Sequence, residues 1–175
     1  LPTRRLPPEQ VVTEAIAHRA QSIAYPYVEP PIFLEYALDT ARLGRAAGLR
    51  NLFITDGYAT PEAVALLAPV LDAANVDLKS FDDAFYRKVC GGRLAPVLES
   101  IVAMRDAGIW LELTTLVIPG HNDDDGQIRE LVRWIVDTLG AETPWHVSRF
   151  YPAFRMPDVP VTPLDTLRRV ADLGR

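Results

Sequence analysis

The chain has 175 residues, is 49% hydrophobic and 23% charged, and carries a formal net charge of −5. That composition suits one globular domain with a sizeable core, and the length is short of the roughly 250 residues of a complete (β/α)₈ barrel. The acidic balance gives no electrostatic reason to bind nucleic acid or an anionic membrane surface. There is no apolar run of transmembrane length and no signal peptide, so the cytosol is the expected compartment. Cys90 stands alone, which excludes an internal disulfide framework or a thiolate metal site within the chain. The chain begins at Leu1 rather than methionine and stops at Arg175 inside a helical pattern, as expected of a piece of a longer protein.

Pro8 is a good first helical residue, and Val11, Val12, Ala15 and Ile16 share one apolar face. Residues 22–27 read as a short aromatic-rich strand. Pro30 and Pro31 then restrict the backbone beside Glu29, ahead of a helix over residues 32–47 stopped by Gly48. The next strand, 51–55, runs into Thr55-Asp56-Gly57. Thr60-Pro61-Glu62 follows as N-cap, N1 proline and first-turn acid of another helix. Over 73–79 the alternation puts Val76 and Leu78 on one face and Asn75, Asp77 and Lys79 on the other. Helices are expected over 81–89 and 95–107, split by Cys90-Gly91-Gly92-Arg93, then a strand over 109–118. A helix over 122–139 has an acidic first turn, residues 145–150 form a strand, and a proline-rich connection leads to a last helix near Leu164.

About five strands alternating with helices, without hairpin signals, imply parallel strands joined by crossovers in one domain over residues 1–175. An open doubly wound sheet and a partial barrel both satisfy the pattern. Glu29, Thr55-Asp56, Asp77-Lys79, Thr114-Thr115 and Arg149-Tyr151 all fall at C-terminal strand ends, which favours a partial TIM-type barrel with these groups around one rim. Asp77 and Lys79 can form a structural ion pair or line a wet cavity; a charge on a central strand is costly, so the cavity reading leads. Glu29 can cap the following helix or hold a ligand, and Thr55-Asp56-Gly57 can be a turn or an amino-acid-binding loop. His121 with Asp123, Asp124 and Asp125 is read as a helix N-terminus rather than a metal site, and His146 as a satisfied interior histidine. Cys90 is expected to be a buried or loop thiol without catalytic role; Trp110, Trp134 and Tyr36 are expected to pack.

The runs Ala24-Tyr-Pro-Tyr-Val-Glu-Pro, Leu52-Phe-Ile-Thr-Asp-Gly-Tyr, Ala74-Asn-Val-Asp-Leu-Lys, Thr114-Thr-Leu-Val-Ile-Pro-Gly and Trp145-His-Val-Ser-Arg-Phe-Tyr-Pro resemble, in order and spacing, consecutive motifs of one family. It is the radical S-adenosylmethionine (SAM) enzymes of the AmmeMemoRadiSam system, relatives of the pyruvate formate-lyase activating enzyme. The resemblance implies an α/β (β/α)₆-like core whose rim holds SAM beside a [4Fe–4S] cluster. There, reductive cleavage of SAM yields a 5′-deoxyadenosyl radical that abstracts hydrogen from a substrate.

By position, Glu29 matches the acid that receives the SAM amino group. Thr55, Asp56, Asp77 and Lys79 match positions around the methionine portion, and Thr114 and Tyr151 match later positions near SAM. The family's CxxxCxxC cluster loop lies ahead of this region, after a first strand, so this core is expected to lack that strand and loop, and the chain alone is expected to be inactive. Val28, Pro26, Pro31, Asp56 and Tyr151 depart from the common family residues near the cofactor.

The resemblance ties an unknown substrate, a protein or a small molecule, to the system's other two members. The alternatives are a cluster-less domain that binds SAM, a nucleotide or a protein without catalysis, and a barrel hydrolase using Asp77, Lys79 and a metal. A missing first strand would also leave the edge of the 22–27 strand exposed, favouring association.

Overall fold

Alternating burial along the strands sets the architecture. In the computed structural model, which describes residues 6–26 and 28–175, the strands are β1 (Ser22–Tyr25), β2 (Arg50–Thr55), β3 (Ala73–Asp77), β4 (Trp110–Val117) and β5 (Trp145–Arg149). All neighbours pair in parallel and the sheet order is β1-β2-β3-β4-β5. That order never reverses, so there is no switch-point crevice of the doubly wound kind. The sheet advances one strand at a time, as a partial barrel does, without closing.

The strands are joined through helices α1 (Pro8–Ala17), α2 (Leu34–Ala46), α3 (Pro61–Leu67), α4 (Asp83–Phe85), α5 (Leu94–Asp106), α6 (Asp125–Leu139) and α7 (Leu164–Leu173), α1 preceding β1. One face of the sheet supplies the core: Ile23, Tyr25, Phe53, Val76, Leu111 and Leu113 are buried with residues such as Ala37, Val64, Val97, Ile101 and Leu131 of the helices, and Val117 with Ile128 and Val170. Each such aliphatic or aromatic side chain contributes about 1.5–3 kcal/mol by burial. The other face carries Leu52, Ile54, Asn75, Asp77, Glu112, Thr114, Leu116 and His146, all half-buried or exposed. This is the concave side of the incomplete barrel. Among the described residues, no helix is long and apolar enough to cross a membrane.

Several boundaries differ from expectation for identifiable reasons. The first strand stops at Tyr25, and Tyr27 lies outside the described residues. The expected helix over 32–47 is a 3₁₀ turn, Pro30–Phe33, followed by α2. β3 ends at Asp77 rather than residue 79, because Leu78 N–H turns back to Val76 O (3.0 Å) and Lys79 N–H donates to the Tyr86 hydroxyl (3.1 Å). The helix over 81–89 is only α4, which widens into a π-helical turn over Tyr86–Cys90. α6 starts at Asp125 instead of 122, since Asp124 caps it by accepting from Gln127 N–H (3.1 Å). The Thr60 cap on α3 is as expected, with Oγ1 accepting from Ala63 N–H at 3.3 Å. Thr60→Ala should therefore cost about 1 kcal/mol in a denaturant titration, with the slope unchanged.

Candidate functional site at the strand ends

Three hollows, of about 540, 390 and 300 Å³, share Asp56 and Lys79 in their walls. Glu29 lines the first two, Thr55 the second and Asp77 the last two, so five of the seven site residues expected from the sequence meet in one place. They come from the ends of β1, β2 and β3. Parallel pairing brings the C-terminal ends of those strands to the same edge of the sheet.

Glu29 is held from two sides. The Thr55 hydroxyl donates to its Oε1, and the Asp56 N–H donates to Oε2 at 2.8 Å. Thr55 is buried and also accepts from Gly57 N–H (3.0 Å), so its part is to aim the glutamate from below. Gly57 permits that turn: its φ is +76° and an added Cβ would lie 2.7 Å from Val76 Cγ1. Burial pushes the Glu29 carboxyl above its ordinary value; the Thr55 hydroxyl and Asp56 N–H pull it back, and the Asp56 carboxylate raises it further.

Across the cleft, Lys79 Nζ lies 3.0 Å from Asp77 Oδ2. Both side chains remain partly open to solvent, so the ion pair and the cavity wall are the same feature and not alternatives. The larger hollow is otherwise mostly apolar, with Pro31, Ile32, Ala59, Ala63 and Val97, and the Tyr58 ring packs over Gly92.

Two of the expected site residues stand apart. Thr114 shares the open face with Asp77, in register with it, but its hydroxyl donates to Asn75 Oδ1 (2.8 Å) and it lines none of the three hollows. Tyr151 is exposed beside Arg149, whose guanidinium carbon is 5.3 Å from its ring centre, and it too is absent from those walls. Of the positions that depart from the family pattern, Pro26 and Val28 line the 390 Å³ hollow and Pro31 the 540 Å³ one.

The acids near His121 are occupied. Asp123 accepts from Gly120 N–H (2.8 Å), Asp124 caps α6, and Asp125 pairs with Arg169. His146 is not interior, as expected, but half-exposed on the open face. There its Nε2 lies 2.7 Å from Glu112 Oε2, because Thr114 and His146 are in register and Glu112 is two residues earlier on β4. Trp110 is likewise exposed rather than packed, at the start of β4, whereas Trp134 packs with Phe81 (6.1 Å).

Cys90 is an exposed thiol that lines two of the hollows, with burial of its sulfur raising its pKa against the pull of the Lys79 ammonium. Sequence reasoning overlooked Tyr86, Tyr58 and the Gly91-Gly92 pair as cleft residues. The usable signal was the glycine pair breaking two helical stretches at a strand end.

Acids and a lysine gathered at the C-terminal rim of a partial parallel barrel define a rim-site α/β protein suited to a small zwitterionic ligand. The radical SAM superfamily model matches residues 2–134, and the chain belongs to that family. The family is one of enzymes that use SAM with a [4Fe–4S] cluster.

An uncharacterized protein of Methanocaldococcus jannaschii is 40% identical over 174 residues, covering 99% of this chain and 51% of the relative. The isethionate sulfite-lyase activating enzyme of Nitratidesulfovibrio vulgaris is 30% identical over 105 residues, covering 59% of this chain and 33% of that protein. The chain thus spans about half of the first relative and a third of the second. In three dimensions it is similar to a domain of a pyruvate-formate lyase-activating enzyme from Bacteroides vulgatus, with a TM-score of 0.71, 17% identity and coverage of 89% of this chain and 93% of that one. That likeness shows the fold alone.

Proposed function

We propose that this chain is the SAM-binding core of an activating-enzyme-like radical SAM enzyme of the AmmeMemoRadiSam system. The observation that carries the reading is the pairing of opposite charges across one cleft: the Glu29 carboxylate, aimed by Thr55 and the Asp56 N–H, and the Lys79 ammonium beside Asp77. An amino acid head group has the complementary pattern, its ammonium suited to Glu29 and Asp56 and its carboxylate to Lys79. The apolar wall of the larger hollow, with Tyr58 over Gly92, suits the less polar remainder of the ligand.

The residues present fit SAM. They do not fit the cluster, because Cys90 is the chain's only cysteine and one thiolate cannot stand for three. When bound in the family's enzymes, the cluster and SAM together supply a radical that abstracts hydrogen. The part of this chain is to grip and orient the methionine end of SAM. The whole protein would act on an unknown substrate, a protein or a small molecule linked to the other members of the system. For the chain in isolation, the single cysteine favours a second reading: a cluster-less domain that binds SAM or a nucleotide without catalysis.

Calorimetric titration of SAM and S-adenosylhomocysteine into the chain tests the proposal. Saturable heat is expected, and no heat with either ligand would overturn it. The pH dependence is a sharper check. A protonated Glu29 cannot pair with an ammonium, and the Glu29 carboxyl titrates above its ordinary value. SAM affinity should therefore rise with pH through a titration lying above the ordinary glutamate value and then level off, a rise lost in Glu29→Gln. The sign for the ligand-free chain is opposite. The raised value gives a contribution to folding that is complete below the unfolded-state pKa of Glu29 and is lost as pH climbs through the folded one.

A further inference from the structure

Lys79 lies beyond the end of β3, so the sheet does not place it. Three side chains do. Thr115 Oγ1 donates to Leu78 O (2.8 Å), the Tyr86 hydroxyl accepts from Lys79 N–H (3.1 Å), and Asn122 Nδ2 donates to Lys79 O (2.7 Å). The peptide groups on both sides of the Lys79 Cα are therefore fixed by Tyr86 and Asn122. Asn122 is itself pinned, with Nδ2 also donating to Leu116 O (2.8 Å) and Oδ1 accepting from Ile118 N–H (2.6 Å). It is 2% exposed and lines none of the three hollows. One buried amide thus joins the end of β4 to the residue that presents the cleft's lysine.

We propose that Asn122 is the positioning residue for Lys79, with Tyr86 as its counterpart on the other side of the lysine, and that together they set where the ammonium meets the carboxylate of SAM. The inference rests on the SAM-binding reading and adds to it a residue that never touches the ligand. Its effect runs through the backbone. Without the amide, the Lys79 carbonyl loses its donor, the turn after Asp77 relaxes toward solvent, and Nζ, which rests 3.0 Å from Asp77 Oδ2 in the intact chain, is carried away from the place where it can also meet the ligand. A displacement of about 1 Å at a positioning group is enough to matter at this kind of contact.

The test compares two ligands that differ only in the carboxylate, SAM and decarboxylated SAM, titrated into wild type, Lys79→Met, Asn122→Ala and Tyr86→Phe, with a thermal melt of each variant. Wild type should prefer SAM by roughly tenfold, the size of one charge-assisted contact. Lys79→Met should bind the two about equally. Asn122→Ala should lose most of the preference while its affinity for decarboxylated SAM stays within about twofold of wild type; Tyr86→Phe, at a residue of the cleft wall, should lose the preference too, read from the ratio of the two ligands whatever its absolute affinity.

A merely structural role would weaken both ligands alike and leave the ratio near tenfold, which would overturn the proposal. So would an unchanged preference in the variants. If Asn122→Ala does not fold, Tyr86→Phe, which removes only the hydroxyl, decides the matter by the same ratio. Failure of wild type to bind SAM at all would instead fell the reading on which the inference rests, and the inference with it. A wild type that prefers SAM alongside insensitive variants fells the inference alone.

Discussion

Glu29→Ala should weaken SAM binding by about 30-fold or more, the equivalent of about 2 kcal/mol for one half-buried charge-assisted contact. The mutation removes the ligand's acid and also strands the Thr55 hydroxyl and the Asp56 N–H, both aimed at the glutamate. The Asp56 carboxylate remains beside the cleft, which limits the loss. Glu29→Gln, which keeps an oxygen acceptor but no charge, should fall between, near tenfold. Calorimetry at a pH above the Glu29 titration measures both. A wild-type affinity in Glu29→Ala would remove this residue from the site while leaving the fold untouched.

The largest stability effect is expected at Asn51, which is fully buried. Its Oδ1 accepts from the Tyr25 hydroxyl (3.0 Å), and its Nδ2 donates to Ala41 O and Val70 O (both 3.0 Å). One amide thereby joins β1, α2 and the segment leading to β3. Asn51→Leu would strand the Tyr25 hydroxyl, take a donor from Ala41 O and Val70 O, and crowd Gly44, where even a Cβ would come within 3.2 Å of the present Oδ1. A loss of about 3–5 kcal/mol is expected by urea titration. Tyr25→Phe, which removes one partner and leaves Oδ1 alone, should cost about 1–2 kcal/mol. Equal losses in the two variants would mean that the Ala41 and Val70 contacts contribute nothing.

Strand and helix order could be read from the sequence because each element has a local cause: alternation over 73–79, the Thr60-Pro61 start, Gly48 as a stop. The convergence of Glu29, Asp56, Asp77 and Lys79 was also accessible, since a parallel sheet gathers C-terminal strand ends by construction. What stayed hidden depends on partners distant in sequence. Asn122 looked like a helical residue, but its amide serves Lys79, 43 positions earlier. His146 looked interior because strand residues usually are; which face of a sheet is covered is decided by the helices, not by the strand's own pattern. Tyr151 sits just past the end of β5 as expected, but Thr114 lies inside β4, which runs on to Val117, and neighbours claim both: Asn75 for Thr114, Arg149 for Tyr151.

The uncovered side of the sheet divides the protein's obligations between its two surfaces. Core contacts run through Phe53, Val76 and Leu113 beneath the helices, while Asn75, Glu112 and His146 face outward and bear little of the packing. Changes among the outward residues can retune what the half-shell admits without unseating the fold. A common scaffold of this shape can therefore diverge in its cargo far faster than in its frame.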